Sequence, residues 1–162
     1  MDRGGRYRLQ LLSAKIVNLF DCELEADKPE EERAGYCRLA LRVGPLIGAS
    51  RLGLTVYELA EGERVCPYHY EFGDEEWLFV FEGEPVLRTP EGERKLGRGE
   101  VVCFPAGPEG AHDVTGPARI GILSTKRDPA VAIYPDSDKL GAWPPNKIFR
   151  LGDAVDYFEG ER

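Results

Sequence analysis

The sequence HYEFGDEEWLFVFEG, residues 69–83, decides the fold of this chain. It begins with one of only two histidines in the protein, passes a turn residue at Gly73, and ends at Gly83 after a largely apolar run. A short apolar run between glycine turns is typical of a buried β-strand. The stretch therefore predicts a turn followed by a strand that begins at Glu76.

The predicted strand has two different faces, because side chains alternate along a strand. One face carries Glu76, Leu78 and Val80. The other carries the aromatic side chains Trp77, Phe79 and Phe81. Both faces are largely apolar, so we expect protein to cover both. In a small barrel one face looks inward, and the aromatic face must meet the N-terminal segment, the C-terminal segment or a second subunit. We predict a homodimer that covers the aromatic face.

The rest of the chain repeats the pattern of short apolar runs between turn residues. Helical periodicity is scarce. The candidate strands are 38–43, 52–59, 64–71, 76–82, 85–89, 93–96, 100–104 and 118–125. Strands at this spacing, separated by glycine and proline, indicate an all-β sandwich or barrel. The length of 162 residues fits one domain with a sizeable core.

The charge balance restricts the kind of partner. The chain has 29 acidic and 21 basic residues, which gives a formal net charge of -8. This excess argues against binding to a nucleic-acid backbone or an anionic membrane surface, since both attract clustered lysine and arginine. No apolar stretch is long enough to cross a membrane. We therefore expect no nucleic acid and no membrane, and a small molecule as the partner.

The N-terminal segment and the cysteines indicate the compartment. Lys15 interrupts the apolar segment 9–20 and no small-residue cleavage site follows it, so we interpret it as part of the fold. The four cysteines form no CxxC pair. These features predict a cytoplasmic protein with free thiols. Cys22 and Cys37 remain candidates for a disulfide if oxidised, and Cys103, in an apolar strand, is expected in the core.

The residues that carry chemistry surround the opening stretch. His69 and Glu71 are two apart on a predicted strand, so both point to the same face. Glu76 begins the next strand after a short turn, and its side chain returns to the same region in a hairpin. His112 is the other histidine of the chain. Two imidazoles and two carboxylates favour a divalent transition metal, such as Mn, Fe, Co, Ni or Zn, over Ca or Mg.

Residues 62–83 resemble the first motif of the cupin superfamily, G-x5-H-x-H-x(3,4)-E-x6-G. Gly62 is followed after six residues by His69-Tyr70-Glu71. Four residues then precede Glu76, and six more precede Gly83. The chain departs from the motif in the spacing after Gly62, and in Glu71, which stands where the motif has its second histidine.

Residues 99–116 resemble the second cupin motif, G-x5-P-x-G-x2-H-x3-N. Gly99 is followed after five residues by Pro105-Ala106-Gly107. Four residues, instead of two, precede His112, and Gly116 stands where the motif has asparagine. The two motifs occur in the expected order, and the likeness covers residues 52–125.

The resemblance implies a double-stranded β-helix, the jelly-roll-like barrel of cupins. It implies one cupin domain over 1–162, with a barrel at about 38–134 and packing arms at 1–37 and 135–162. By resemblance, the four metal-ligand positions are His69, Glu71, Glu76 and His112. A glutamate at the metal is suited to act as a general base, which makes Glu71 and Glu76 the candidate catalytic residues.

Several functions are compatible with this site. The first is a metal-dependent enzyme acting on a small polar metabolite, by resemblance to cupin isomerases, dioxygenases and decarboxylases. A site of His69, Glu71 and His112 alone resembles the facial triad of non-haem Fe(II) oxygenases. The second function is a non-catalytic small-molecule-binding or sensor cupin. The third is a metal-free scaffold with an apolar pocket, in which both histidines are hydrogen-bonded interior residues. Independently of these functions, Glu71 is either a metal ligand or a residue that hydrogen-bonds a ligand or faces solvent.

Overall fold

The computed structural model describes residues 15–27 and 33–161, and β-strands dominate it. The strands are β1 (Glu25–Ala26), β2 (Arg38–Arg42), β3 (Leu52–Leu59), β4 (Tyr70–Phe72), β5 (Glu76–Gly83), β6 (Val86–Thr89), β7 (Gly92–Lys95), β8 (Val101–Phe104), β9 (Asp113–Thr115), β10 (Ala118–Thr125), β11 (Ala130–Tyr134), β12 (Lys139–Trp143) and β13 (Lys147–Arg150). The short helix α1 spans Val43–Ile47, and 3-10 turns lie at Pro108–Gly110, Pro135–Ser137 and Leu151–Asp153. The all-β prediction is confirmed.

Non-consecutive strands are neighbours in the sheets, as a double-stranded β-helix requires. The six-stranded sheet has the order β1-β2-β3-β10-β5-β8. In it β10 lies between β3 and β5, which both come much earlier in the chain. The other sheets have the orders β13-β12-β11-β4 and β7-β6-β9. All pairs are antiparallel. This architecture is the jelly-roll-like barrel expected from the sequence.

The two faces of β5 behave as the alternation predicts. Leu78 and Val80 are buried, whereas Trp77 is 41% exposed. On the outer face the N-terminal segment provides part of the cover, since the rings of Phe20 and Phe81 lie 5.3 Å apart. The expectation that Cys103 is a core residue is wrong: it pairs with Trp77 in the β5–β8 register, so it shares the outer face and is exposed.

The predicted strand 64–71 is mostly irregular. Regular pairing begins only at β4. Before it, two isolated antiparallel bridges join Arg64 to Thr115 and His69 to His112. Pro67 lies between the bridges, and it has no N–H to contribute to a continuous ladder. The irregular segment still brings the two histidines side by side.

The C-terminal part of the chain extends a sheet. Strands β12 and β13 lie beyond residue 134, where the sequence suggested a packing arm, and they continue the sheet that contains β11. In that sheet Ala132 pairs with Glu71. Residues after 134 therefore support the strand that carries one of the candidate site residues. The other arm is described only over 15–27 and 33–37, so the expectation for 9–20 lies partly outside the described residues.

The core lies between the sheets. The buried cluster consists of Leu59, Val65, Leu78, Val80, Leu87, Leu96, Phe104, Val114, Ala118, Ile120 and Ile122. Full burial of one such large aliphatic side chain contributes about 1.5–3 kcal/mol. At the end of β5, Gly83 has a φ of 84°, and a Cβ there would lie 2.5 Å from the Pro117 carbonyl oxygen. The motif glycine thus allows β5 to approach the turn before β10.

Among the described residues, no helix is both long and apolar enough to cross a membrane.

Candidate metal centre

The two histidines face each other across an isolated β-bridge. The backbone N–H of each donates to the carbonyl oxygen of the other, at 3.1 Å from His69 and 2.9 Å from His112. Their ring centroids are 4.8 Å apart. Both side chains are buried. The bridge therefore holds two imidazoles side by side inside the barrel, whereas the sequence suggested that they lie on opposite walls of its interior.

The hydrogen bonds of the imidazoles define which nitrogen is available. Nδ1 of His69 lies 3.0 Å from the Pro67 carbonyl oxygen, and Nδ1 of His112 lies 2.9 Å from that of Gly110. A carbonyl oxygen only accepts, so each Nδ1 must donate a proton to it. In a neutral imidazole of this tautomer, Nε2 keeps its lone pair. Metal-ligating histidines commonly have this arrangement, in which a backbone carbonyl fixes the tautomer.

Glu76 completes a group of three ligands. Its Oε2 lies 3.5 Å from Nε2 of His112 and 4.0 Å from Nε2 of His69. Its Oε1 accepts a hydrogen bond from the Ser124 hydroxyl on the neighbouring strand β10. One ligand atom from each of the three residues lies within 4.8 Å of the others. Two imidazoles and one carboxylate in this arrangement fit a divalent transition metal.

Glu71 lies on the wall of the same cavity but outside this group. Burial, followed by the neighbouring charges of Glu76 and Asp74, raises its pKa to about 7. Glu71 and His69 line the same cavity, although His69 lies just before the regular strand β4. The structure does not bring Glu71 into the set of three ligand atoms. Glu71 lies on β4, whereas Glu76 begins β5 in another sheet.

The surroundings of His112 keep its imidazole neutral. Burial, together with the charge of nearby His69, lowers the pKa of His112 to about 3, and the bond to Gly110 opposes this change only in part. The Phe104 ring stacks on the imidazole at 3.7 Å between centroids, with an interplanar angle of 5°. A neutral imidazole is the form that ligates a metal.

Cys66 and Tyr134 flank His69 on its other sides. The Cys66 Sγ lies 3.4 Å from Nδ1 of His69, the nitrogen that faces away from the ligand group. Burial and the charge of Glu76 raise the pKa of this thiol. The Tyr134 ring stacks on His69 at 5.9 Å, and burial, with Cys66 next in effect, raises its pKa to about 12. Both side chains are therefore neutral parts of the wall.

The site opens into a cavity of about 480 Å³. Its wall includes the four predicted residues and several that sequence reasoning missed, namely Asp27, Arg38, Arg42, Tyr57, Tyr134 and Trp143. Of these, Tyr57 carried a signal, because it lies two residues before buried Leu59 on β3 and therefore shares its face. Arg38 and Asp27 carried none, since a charged residue at the end of a strand is most often solvated.

The sequence matches no family model and no curated protein. Solved structures do match the fold. A sugar phosphate isomerase of the cupin superfamily from Silicibacter pomeroyi is 23% identical, with 89% of this chain and 98% of that chain covered and a TM-score of 0.73. The polyketide cyclase RemF from Streptomyces resistomycificus is 26% identical, with 72% and 82% covered and a TM-score of 0.56.

Proposed function

We propose that this chain, which has the fold of the cupin superfamily, is a metal-dependent enzyme acting on a small polar metabolite. His69, Glu76 and His112 would hold one divalent ion, drawn from Mn, Fe, Ni or Zn. The observation that carries the proposal is the convergence of both Nε2 atoms on the Glu76 carboxylate while both Nδ1 atoms face backbone carbonyls. Three protein ligands leave positions free for a substrate.

Glu71 is the proposed proton-transfer residue. It lies in the same cavity as the three ligands but outside their group, so its carboxylate remains available to a bound substrate. A metal ion bound there would act as a Lewis acid on a substrate carbonyl or hydroxyl. Glu71 would accept a proton from the carbon beside that group and return it to a neighbouring atom. The composition of the substrate is unchanged, so this chemistry is of the isomerase type and needs no co-reactant.

The proposal predicts a result for purified protein. Elemental analysis should find about one equivalent of metal in the wild type and none in the double variant His69→Ala, His112→Ala. Glu76→Gln, which removes the ligand carboxylate, should also lose the metal. Glu75→Gln is its matched control, since Glu75 is exposed and its carboxylate accepts a hydrogen bond from the Trp77 indole N–H instead of facing the histidines. Loss of metal in Glu75→Gln, or retention in the double variant, contradicts the assignment.

Turnover separates the enzyme from a binding or sensor protein. The holo-protein should convert a member of a panel of small hydroxy-aldehydes, oxo acids and hydroxy acids, followed by magnetic resonance. Oxygen uptake would indicate the dioxygenase type instead, and release of carbon dioxide the decarboxylase type. Ligand binding without conversion of any bound compound contradicts the enzyme and leaves a binding protein.

The predicted homodimer and cytoplasmic location belong to the same proposal. The outer face retains exposed apolar side chains, including Trp77, Val101 and Leu52, although Phe20 covers part of it. We infer that a second copy covers this face. Light scattering at micromolar concentration should give twice the mass of one chain, and the Trp77→Arg variant should have the mass of one chain. A monomeric wild type contradicts the dimer.

The four free thiols support a reducing compartment, and hence the proposed cytoplasmic location.

A further inference from the structure

Two arginine side chains, Arg38 and Arg42, lie in the wall of the metal cavity, and the functional assignment above uses neither. Arg38 is the less exposed of the two. Arg38 begins β2, opposite Leu59 of β3. Its side chain is 19% exposed, and it shares the cavity with His69, Glu76 and His112. A cation that is largely removed from solvent, in a chain of net charge -8, needs a specific partner.

The hydrogen bonds of the Arg38 guanidinium are incomplete. Nη1 donates to the Tyr36 carbonyl oxygen at 3.2 Å, and Nη2 contacts Oδ2 of Asp27 at 2.8 Å. Nε is buried and has no acceptor among the described residues. Nε–H and Nη2–H lie on the same edge of a guanidinium, and an oxyanion with two oxygens binds that edge through both. Asp27 satisfies only one half of this edge.

Asp27 is positioned to give up its contact with Arg38. Its Oδ1 lies 3.1 Å from Nη2 of Arg42, so the carboxylate is shared between two guanidinium groups. The Arg42 side chain is 62% exposed, and both Asp27 and Arg42 line the cavity. If another anion took the Arg38 edge, Asp27 would still retain Arg42 as its partner.

The arginine edge and the metal ligands belong to one continuous space. Cys66 contacts His69, and Cys66, Tyr57 and Arg38 all line the cavity. A volume of about 480 Å³ accommodates a small metabolite that reaches from the ligand group to the guanidinium.

We propose that Arg38 is the substrate-recognition residue of this cavity and that the substrate carries an oxyanion, a carboxylate or a phosphate, which takes the Nε–Nη2 edge in place of Asp27. Asp27 is the internal occupant of that edge in the free protein. The inference rests on the proposed function, because it assumes that the substrate binds in the cavity that holds the metal ligands. It assigns the substrate class and a residue that selects it.

The test measures binding by calorimetry with three probes: succinate, glycerol 3-phosphate and neutral erythritol. We expect one of the anions to bind the wild type, and the stronger of the two identifies carboxylate or phosphate as the group recognised. Arg38→Gln should weaken that binding by about tenfold or more, as expected for a lost charge-assisted pair. Asp27→Asn should tighten it, because the internal competitor is neutralised.

Two further variants control for charge and folding. Arg38→Lys keeps the charge but lacks the two-donor edge, so it should bind the anion more weakly than the wild type. This variant provides the test if Arg38→Gln fails to fold. Arg94→Gln removes an exposed arginine that pairs with Glu100 on the surface, and it should change affinity by no more than about twofold.

The same titrations on metal-free wild type and on His69→Ala, His112→Ala separate this inference from the metal assignment. Anion binding that depends on Arg38 but not on metal would uphold the inference even if the metal site failed. The inference is overturned if neither anion binds the wild type, if erythritol binds as tightly as the anions, if Arg38→Lys matches the wild type, or if Asp27→Asn weakens binding.

Discussion

Nε2 of His112 lies 3.5 Å from Oε2 of Glu76, although the two residues belong to different walls of the barrel. Glu76 begins a strand in the six-stranded sheet, and His112 lies in a bridge outside that sheet. The approach of a neutral buried imidazole to a carboxylate oxygen leaves a lone pair on each atom. An electrophile between them would satisfy both, which is why this pair indicates a metal.

Removing one ligand should abolish the stabilisation that metal gives. At a metal concentration about a hundredfold above Kd, binding stabilises the folded chain by about 3 kcal/mol. Differential scanning calorimetry should show this increase in Tm for the wild type with Zn²⁺ or Mn²⁺, and its loss on adding a chelator. His112→Ala should show no such increase. An equal increase in His112→Ala would mean that the ion binds elsewhere.

Glu71→Gln should separate metal binding from catalysis. Since Glu71 lies outside the ligand group, the variant should retain about one equivalent of metal. Loss of a general base typically lowers kcat by about 10²–10⁴-fold. Metal content and kcat should be measured on the same preparation, with Glu75→Gln as the carboxylate control. If Glu71→Gln loses its metal, Glu71 is a fourth ligand, as the motif resemblance implied.

Ser124→Ala should weaken metal binding without removing a ligand. The Ser124 hydroxyl donates to Oε1 of Glu76 and orients the carboxylate so that Oε2 faces the histidines. Loss of such an orienting partner typically costs about 10–100-fold in metal affinity. Competition titration against a chromophoric chelator measures the change. Ser137→Ala, at an exposed turn, is the control; equal affinities of the two variants would refute the role of Ser124.

Gly83→Ala should destabilise the fold more than Gly62→Ala does. Both glycines have positive φ, 84° and 77°, so both alanines incur backbone strain of about 1–2 kcal/mol. Only at Gly83 would the new Cβ also meet backbone, 2.5 Å from the Pro117 oxygen; nothing lies within 4 Å at Gly62. Urea unfolding of both variants measures the difference. Equal losses of stability would show that the turn before β10 adapts without cost.

The local pattern of the sequence predicted several features correctly. Alternation assigned Leu78 and Val80 to the interior, and Trp77 to the outer face, because the two faces of a strand are set by the strand itself. The same rule put His69 and Glu71 on one side. The two cupin motifs indicated the fold, since the glycine and proline positions specify turns that only a few backbone conformations satisfy.

Features that depend on contacts between distant segments were not predictable in this way. Cys103 looked like a core residue because its strand is apolar, but the face it occupies depends on its pairing with Trp77. Strands β12 and β13 join the sheet of β4 through β11, a contact that no local periodicity encodes. Arg38 enters the cavity because β2 pairs with β3. The Arg38 guanidinium there contacts Asp27.

The sequence by itself determined the all-β class and the inward and outward faces of β5, because these follow from side-chain alternation and turn chemistry within short segments. The tertiary structure alone decided that His69, Glu76 and His112 converge while Glu71 stands apart in the same cavity, and that Arg38 shares their space. Those relations follow from strand order and sheet packing, which fix distances between residues that have no regular spacing along the chain.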